Sequence, residues 1–322
     1  MWHLELRLLG RPWVIIDSDD RTTEIGDKSL ALVAYVALAA PQRIARGKLA
    51  GAFWPDKSEN ASLYRLRHAL WDLRRIIGKA HLQADDANCW LALEDDVRVD
   101  VLEFQRGCED LTRAGVTQLS ALAELYRGDL LDGVVVREAP LFDEWLLVER
   151  ERLQLLYHET LWRLAQAQQA AEDYARAAQT LARLIQADPL HERGYRALMG
   201  GYLRQGDRAA ALRVYAQCAK TLAAELGISP SPATTLLREM IARGTPASAE
   251  NEVKRATVLL AQKRYSDAWA TCAAIEAAVA DPITRSQAAL LRAEIALSQG
   301  KQTESLTLIQ TAREAIRNMF SR

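Results

Sequence analysis

The chain has 322 residues, 49% of them hydrophobic and 26% charged, with a formal net charge of −1. Its length suits two or three domains with cores of their own, and its composition is that of a soluble globular protein rather than a disulfide-held miniprotein. Four scattered cysteines, Cys89, Cys108, Cys218 and Cys272, lack the paired spacing or nearby histidine pair of a zinc site and read as buried thiols in a reducing compartment. No apolar run approaches the roughly 18 to 20 residues that span a bilayer, so the expectation is a cytoplasmic protein with no membrane partner.

The near-zero net charge conceals a polarity. Between Lys28 and Lys79 ten Lys and Arg stand against three acidic residues, whereas between Leu82 and Trp145 five basic residues stand against fifteen acidic ones. Segments of opposite sign suit different partners.

In chain order, "HLELRLL" alternates with Leu4, Leu6 and Leu8 on one side, and "WVII" follows the breakers Gly10 and Pro12. This predicts a small antiparallel sheet. "KSLALVAYVALAA" reads as an apolar helix ended by Pro41, and "RGKLAGAFW" as a short helix ended by Pro55. A third helix runs through "ASLYRLRHALWDLRRII" to Gly78, with Asp56 and Glu59 placed to form a capping box. "HLQ" and "CWLAL", separated by the turn-prone "ADDAN", predict a hairpin, and "VRV" a further strand. Strands, three helices and a hairpin in that order make a winged helix-turn-helix, whose third helix is offered to the major groove.

On a helical wheel Leu63, Leu66, Leu70, Leu73 and Ile77 of the third helix form a core stripe, flanked by Ala69 and Ile76. Asn60, Tyr64, Arg67, His68, Trp71 and Arg75 share the adjoining side, with Arg74 at its edge, while Arg65 and Asp72 point elsewhere. A solvated face is normally mixed in sign and free of large aromatics. This one interleaves cations with Tyr64 and Trp71, a pattern suited to phosphates, sugars and base edges. Asn60, Tyr64, Arg67 and His68 are the candidates for base contact, with Trp71 packing beside them unless it plugs a domain interface. Lys48, Lys57, Arg74 and Arg75 are the candidates for phosphate neutralisation, which makes double-stranded DNA the expected partner.

Beyond Asp100 the pattern is helical. "EDYARAAQTLARLIQADP" and "GDRAAALRVYAQCAKTLAAEL" align Asp173 over Asp207, an offset of 34 residues that is the period of tetratricopeptide hairpins. Ala177 and Ala210 would let paired helices approach closely. "KRYSDAWATCAAIEAA" and "GKQTESLTLIQTAREA" repeat the theme after a linker-like "RGTPASAE" at 243–250. No histidine spacing suits a metal, and no GxSxG, HExxH or phosphate-loop pattern occurs. Neither an enzyme nor a cofactor is expected.

The sequence resembles the SARP-type bacterial transcriptional activators, an OmpR-like winged helix followed by a bacterial transcriptional activator domain. The resemblance rests on "LRLLG" at 6–10, "ALVAYVAL" at 31–38, "FWPD" at 53–56, "LRHALWDLRRIIG" at 66–78 and "VRVDVLEF" at 97–104. It continues in "YRGDLLDG" at 126–133, "FDEWLLVERERL" at 142–153, "ADPLHERGYRALMGGYLRQGDRAAALRVY" at 187–215 and "ELGISPSPAT" at 225–234. It covers about residues 1–243 and implies a mainly α fold with a winged helix at 1–100 and a tetratricopeptide-like activator domain at 101–243, while the further helical hairpins expected at 247–322 rest on the repeat pattern and lie outside the shared core. It also implies binding to tandem direct repeats by more than one protomer, contact with RNA polymerase, a recognition helix from Asn60 to Ile77 and a wing from Leu82 to Leu93. The second helix departs from the pattern, since Ala45 and Gly47 replace its usual opening Ser or Thr and acid. Loss of such a cap costs about 0.5–2 kcal/mol, which predicts a loosely held start. By analogy of fold the final hairpins suit a peptide or small-molecule effector, and two other readings stay open: a tetratricopeptide scaffold without DNA binding and a ligand-gated regulator.

Overall fold

The alternation at the start becomes β1 (Leu4–Arg7) and β2 (Trp13–Ile16), paired antiparallel from Leu4↔Ile16 to Arg7↔Trp13 in a computed structural model that describes residues 3–243, 247–278 and 282–320. Leu4, Leu6, Val14 and Ile16 are buried on one side, as period-two patterning requires. Two further strands complete this sheet. β3 (Asp19–Asp20) extends β2, and the distant β7 (Val97–Val99) joins the other edge parallel to β1.

Between them lie α1 (Asp27–Ala39), β4 (Ile44–Ala45), α2 (Arg46–Phe53), α3 (Glu59–Ile77) and the hairpin β5 (Leu82–Ala84) and β6 (Asn88–Leu91). Leu30 to Ala37 of α1 are all buried, so this helix is central and apolar all round. The start of α2 is not loosely held as expected. No side chain caps it, but β4 pairs with β6 through Ile44↔Cys89 and Ala45↔Asn88, and the Arg46 N–H donates to the Ala87 carbonyl at 2.8 Å. Strand pairing holds the position where a cap was missing.

The chain divides into two compact units, Met1–Asp188 and Pro189–Arg322. In the first, α4 (Asp100–Gly107), α5 (Val116–Leu125), α6 (Pro140–Ala170) and α7 (Tyr174–Ala187) follow the sheet, and one hydrophobic core runs from Leu4 through Phe104 and Phe142 to Leu153. Aromatic side chains knit it. Tyr35 of α1 lies 4.3 Å from Trp145 and Phe53 of α2 lies 4.9 Å from Phe142, measured between ring centroids. This explains the spacing of "FDEW".

The motif "YRGDLLDG" is the joint between sheet and helices. Tyr126 stacks on Tyr157 at 4.2 Å and donates its hydroxyl to Asp129. Gly10 donates its N–H to the Asp129 carbonyl, Leu131 donates to Leu8, and Leu9 bridges Leu130. Arg150 donates to the carbonyls of Leu130 and Leu131, at 2.8 and 3.0 Å. Gly10 has φ +91, and a Cβ there would lie 3.2 Å from the Arg127 backbone. We expect Gly10→Ala to cost about 1–2 kcal/mol from the left-handed backbone alone, more once Arg127 is displaced, as a lowered urea midpoint of the purified chain.

The helical repeat takes physical form in its turns. Asp173 caps α7 by accepting from the Arg176 N–H, and Asp207 caps α9 (Arg208–Leu226) by accepting from the Ala210 N–H. The residues just before them, Glu172 and Gly206, both take positive φ. The N–H groups of Asp173, Asp207, Arg264 and Lys301 each donate five residues back, to Gln168, Tyr202, Leu259 and Ala296. Four helix hairpins therefore share one turn. Ala177 and Ala210 are buried, as close helix approach requires.

The second unit comprises α8 (Glu192–Arg204), α9, α10 (Pro232–Arg243), α11 (Ala247–Ala261), α12 (Tyr265–Ala278), α13 (Pro282–Ser298) and α14 (Gln302–Phe320). Glu192 accepts from the Ser231 N–H and from the hydroxyls of Ser231 and Thr234, tying the start of α10 to α8. Of the linker expected at 243–250, residues 244–246 lie outside the described residues, and Ala247 already opens a helix. The four thiols are unbridged, and burial pushes those of Cys89, Cys218 and Cys272 up to about 11. Among the described residues no helix is long and apolar enough to cross a membrane. The fold is mainly α with an N-terminal winged helix-turn-helix, as the sequence pattern predicts.

Candidate nucleic-acid interface

α3 is amphipathic in the way the wheel predicts. Leu66, Leu70, Leu73 and Ile77 are buried and Leu63 is half-buried. The expected capping box does not form. Pro55 and Asp56 sit in a turn closed by the Lys57 N–H on the Trp54 carbonyl, so the helix starts later, with Ser58 at its N-cap and no side chain capping its first turn. Gly78, at φ +93, ends it.

Asn60, Tyr64, Arg67, His68, Trp71 and Arg75 are exposed together on one face. Tyr64 and Trp71 each leave 58% of their surface in water, which is costly for side chains of that size unless something covers them. The face is ordered into two pairs one turn apart. The Tyr64 and His68 rings meet edge to face at 4.6 Å, and the Arg75 guanidinium lies 5.4 Å from the Trp71 ring centroid.

The other predicted cations are placed differently. Lys57 is exposed in the turn that leads into α3. Arg74 is half-buried, with its Nε enclosed and without a hydrogen-bond partner. Lys48 is exposed on α2 and lines a separate cavity with Arg43, Trp145 and Glu149. Arg75 and Ile76 border a recess of mixed charge with Asp17, Asp19, Arg21 and Glu24.

Arg65 and Asp72, expected to point away from the aromatic face, are both exposed. With Lys28, Trp54, Tyr64 and His68 they line an open groove of about 630 Å³ beside the aromatic face. The Lys28 ammonium donates to the Phe53 carbonyl at 3.2 Å and lies 5.3 Å from the Trp54 ring centroid, and burial lowers its pKa. A wheel of α3 alone could not find Lys28 and Trp54, because they reach the groove from α1 and the end of α2. The charge run beginning at Lys28 was their one signal in the sequence.

The hairpin after α3 is anchored and acidic at its tip. The Asp85 carboxylate accepts from the N–H groups of Asn88 and Ala87, at 2.6 and 2.9 Å, and these bonds hold its pKa below the ordinary value. Arg43 pairs with Asp85 at 3.5 Å and lies 4.0 Å from the Trp90 ring centroid. At the hairpin base His81 is buried, with Nδ1 2.5 Å from the Ile77 carbonyl and Nε2 3.2 Å from Asp96. It thereby connects the end of α3, the hairpin and the turn before β7.

Residues 99–242 match the family model described as bacterial transcriptional activator domain. The chain carries a bacterial transcriptional activator domain. It is 29% identical over 254 residues to the regulatory protein AfsR of Streptomyces coelicolor, covering 75% of this chain. The chain spans only 24% of that relative's length. It is 26% identical to the transcriptional regulatory protein MoaR1 of Mycobacterium tuberculosis, over 68% of this chain and 73% of that one. Among solved structures, Mycobacterium tuberculosis EmbR in complex with a low-affinity phosphopeptide superposes with a TM-score of 0.59 at 22% identity, over 81% of this chain and 72% of that one. The last comparison shows a shared fold. The family match covers the activator domain, and the two curated relatives are similar to this chain over 75% and 68% of its length.

Proposed function

We propose that the chain is a DNA-binding transcriptional activator in which α3 is the recognition helix, rather than an enzyme. The observation that carries this reading is the exposed face on which Tyr64 and Trp71 interleave with Arg67, His68 and Arg75. Planar rings pack on sugars and thymine methyls, guanidinium groups meet phosphates and guanine edges, and third helices of winged modules enter the major groove. Asn60, Tyr64, Arg67 and His68 contact bases in this reading, and Trp71 packs beside them. Lys57, Arg74, Arg75 and, more remotely, Lys48 neutralise phosphate. Lys28 and Arg65 line the adjoining groove and add to its positive edge.

The activator domain at 101–243 contacts RNA polymerase and a neighbouring protomer on direct repeats, a role supported by the acidic stretch that opens it, up to Trp145, and by relatives named as regulators. The hairpins at 247–322 receive a peptide or small-molecule effector, and the protein acts in the cytoplasm where its promoters lie. The salt dependence of duplex binding tests the phosphate assignment. Each phosphate contact contributes about 0.9 to the log–log slope, so the double variant Lys57→Ala/Arg75→Ala should flatten it by roughly 1.8. A slope unchanged from the parent removes both residues from the interface.

A further inference from the structure

A second basic feature lies at the end of β2 opposite the one that faces Arg75. Arg7 and Trp13 are paired across β1 and β2 on the side of the sheet away from the core. With Leu9, Arg11 and Arg127 they line an open cavity of about 310 Å³, and none of the five is acidic. Leu9, the apolar aliphatic member of the lining, is fully buried.

The three arginines are presented in different ways. Glu5 holds Nε of Arg7 at 2.8 Å, and Asp100 holds one Nη of Arg127 at 2.6 Å, which fixes both side chains while leaving further N–H groups of each fork. Arg11 is exposed and has no ion pair among the described residues. Trp13 leaves 46% of its surface in water, with the Arg7 guanidinium 5.9 Å from its ring centroid. An exposed indole beside three guanidinium groups, in a concave site whose acidic neighbours Glu5 and Asp100 stand behind the lining, has a specific chemical complement: a flat ring to stack on the indole and a phosphate to engage the remaining N–H groups of the forks.

We propose that this cavity binds a phosphorylated ligand of the mononucleotide class. Its volume reaches the lower end of small-ligand sites, a size that suits one small molecule. The ligand would also be felt beyond the cavity. Arg127 shares Asp100 with the Leu8 and Leu9 N–H groups, so a phosphate drawing on Arg127 acts on the joint between the N-terminal sheet and the activator domain.

Calorimetric titration of the full chain with AMP, adenosine, inorganic phosphate and a phosphoserine peptide tests the site. AMP should bind at least roughly tenfold more tightly than each of the other three, the ratio expected when one good charged or stacking contact is lost. Arg11→Gln and Trp13→Ala should each weaken AMP binding by roughly tenfold while leaving the melting temperature unchanged, and Arg67→Ala on the α3 face should bind AMP as the parent does. The proposal is overturned by absence of AMP binding, by phosphate or the phosphopeptide matching AMP, or by parental affinity in Arg11→Gln. Loss of AMP binding in Arg67→Ala overturns it too, since the anion would then sit on α3. Because the α3 variant is a separate arm, failure here leaves the DNA reading intact, and the reverse holds.

Discussion

Asp100→Ala should lower the stability of the Met1–Asp188 unit by roughly 2–6 kcal/mol, the cost of leaving two buried N–H groups without an acceptor at about 1–3 kcal/mol each. The carboxylate accepts from Leu8 at 2.7 Å and Leu9 at 3.1 Å, both residues being fully buried, and from Arg127 at 2.6 Å. Burial pushes the Asp100 carboxyl up, and these same bonds pull it down. The joint is closely packed, since even a Cβ on Gly10 would lie 3.2 Å from the Arg127 backbone. Asp100→Asn keeps one acceptor oxygen but sets an amide donor against an N–H or the Arg127 guanidinium, so it should fall between parent and alanine. Urea denaturation followed by circular dichroism reads the difference, and an alanine variant within about 0.5 kcal/mol of the parent, the range of ordinary surface changes, would mean that this joint does not hold the sheet to the helices.

Arg67→Ala should leave stability within about 0.5 kcal/mol, as for an exposed side chain, yet reduce discrimination between specific and random duplexes by about 1–3 kcal/mol, the worth of one base-reading pair. Arg75→Ala should instead weaken binding to all duplexes alike, since that side chain lies against Trp71 near the end of α3. Competition binding at fixed salt, with specific and scrambled duplexes, separates the two outcomes. If the two variants lose affinity in the same manner, the division between base-reading and phosphate-neutralising residues along α3 is wrong.

Much of this arrangement is legible in the amino-acid sequence. The third helix, its core stripe and its aromatic face follow from 3.6-residue periodicity, and the 34-residue offset of Asp173 and Asp207 marks two real caps. What the sequence does not show is non-local. The parallel pairing of Val97–Val99 with β1 joins residues some ninety positions apart, and two-residue strands such as Ile44–Ala45 carry no periodicity at all. The latter strand is why the missing cap at Ala45 does not loosen α2. The capping box fails because Pro55 and Asp56 serve the preceding turn, a competition that a motif match does not weigh. The groove that Arg65 lines is out of reach of a wheel, which describes one helix, because Lys28 and Trp54 complete it from elsewhere in the chain.

The most direct test of the central claim is selection of bound duplexes from a random or genomic pool with the full chain. The account predicts recovery of one recurrent sequence arranged as direct repeats, with affinity that falls steeply as salt rises and enrichment that is lost in Arg67→Ala. Recovery of no common sequence, together with the absence of any salt-dependent duplex binding, would contradict it.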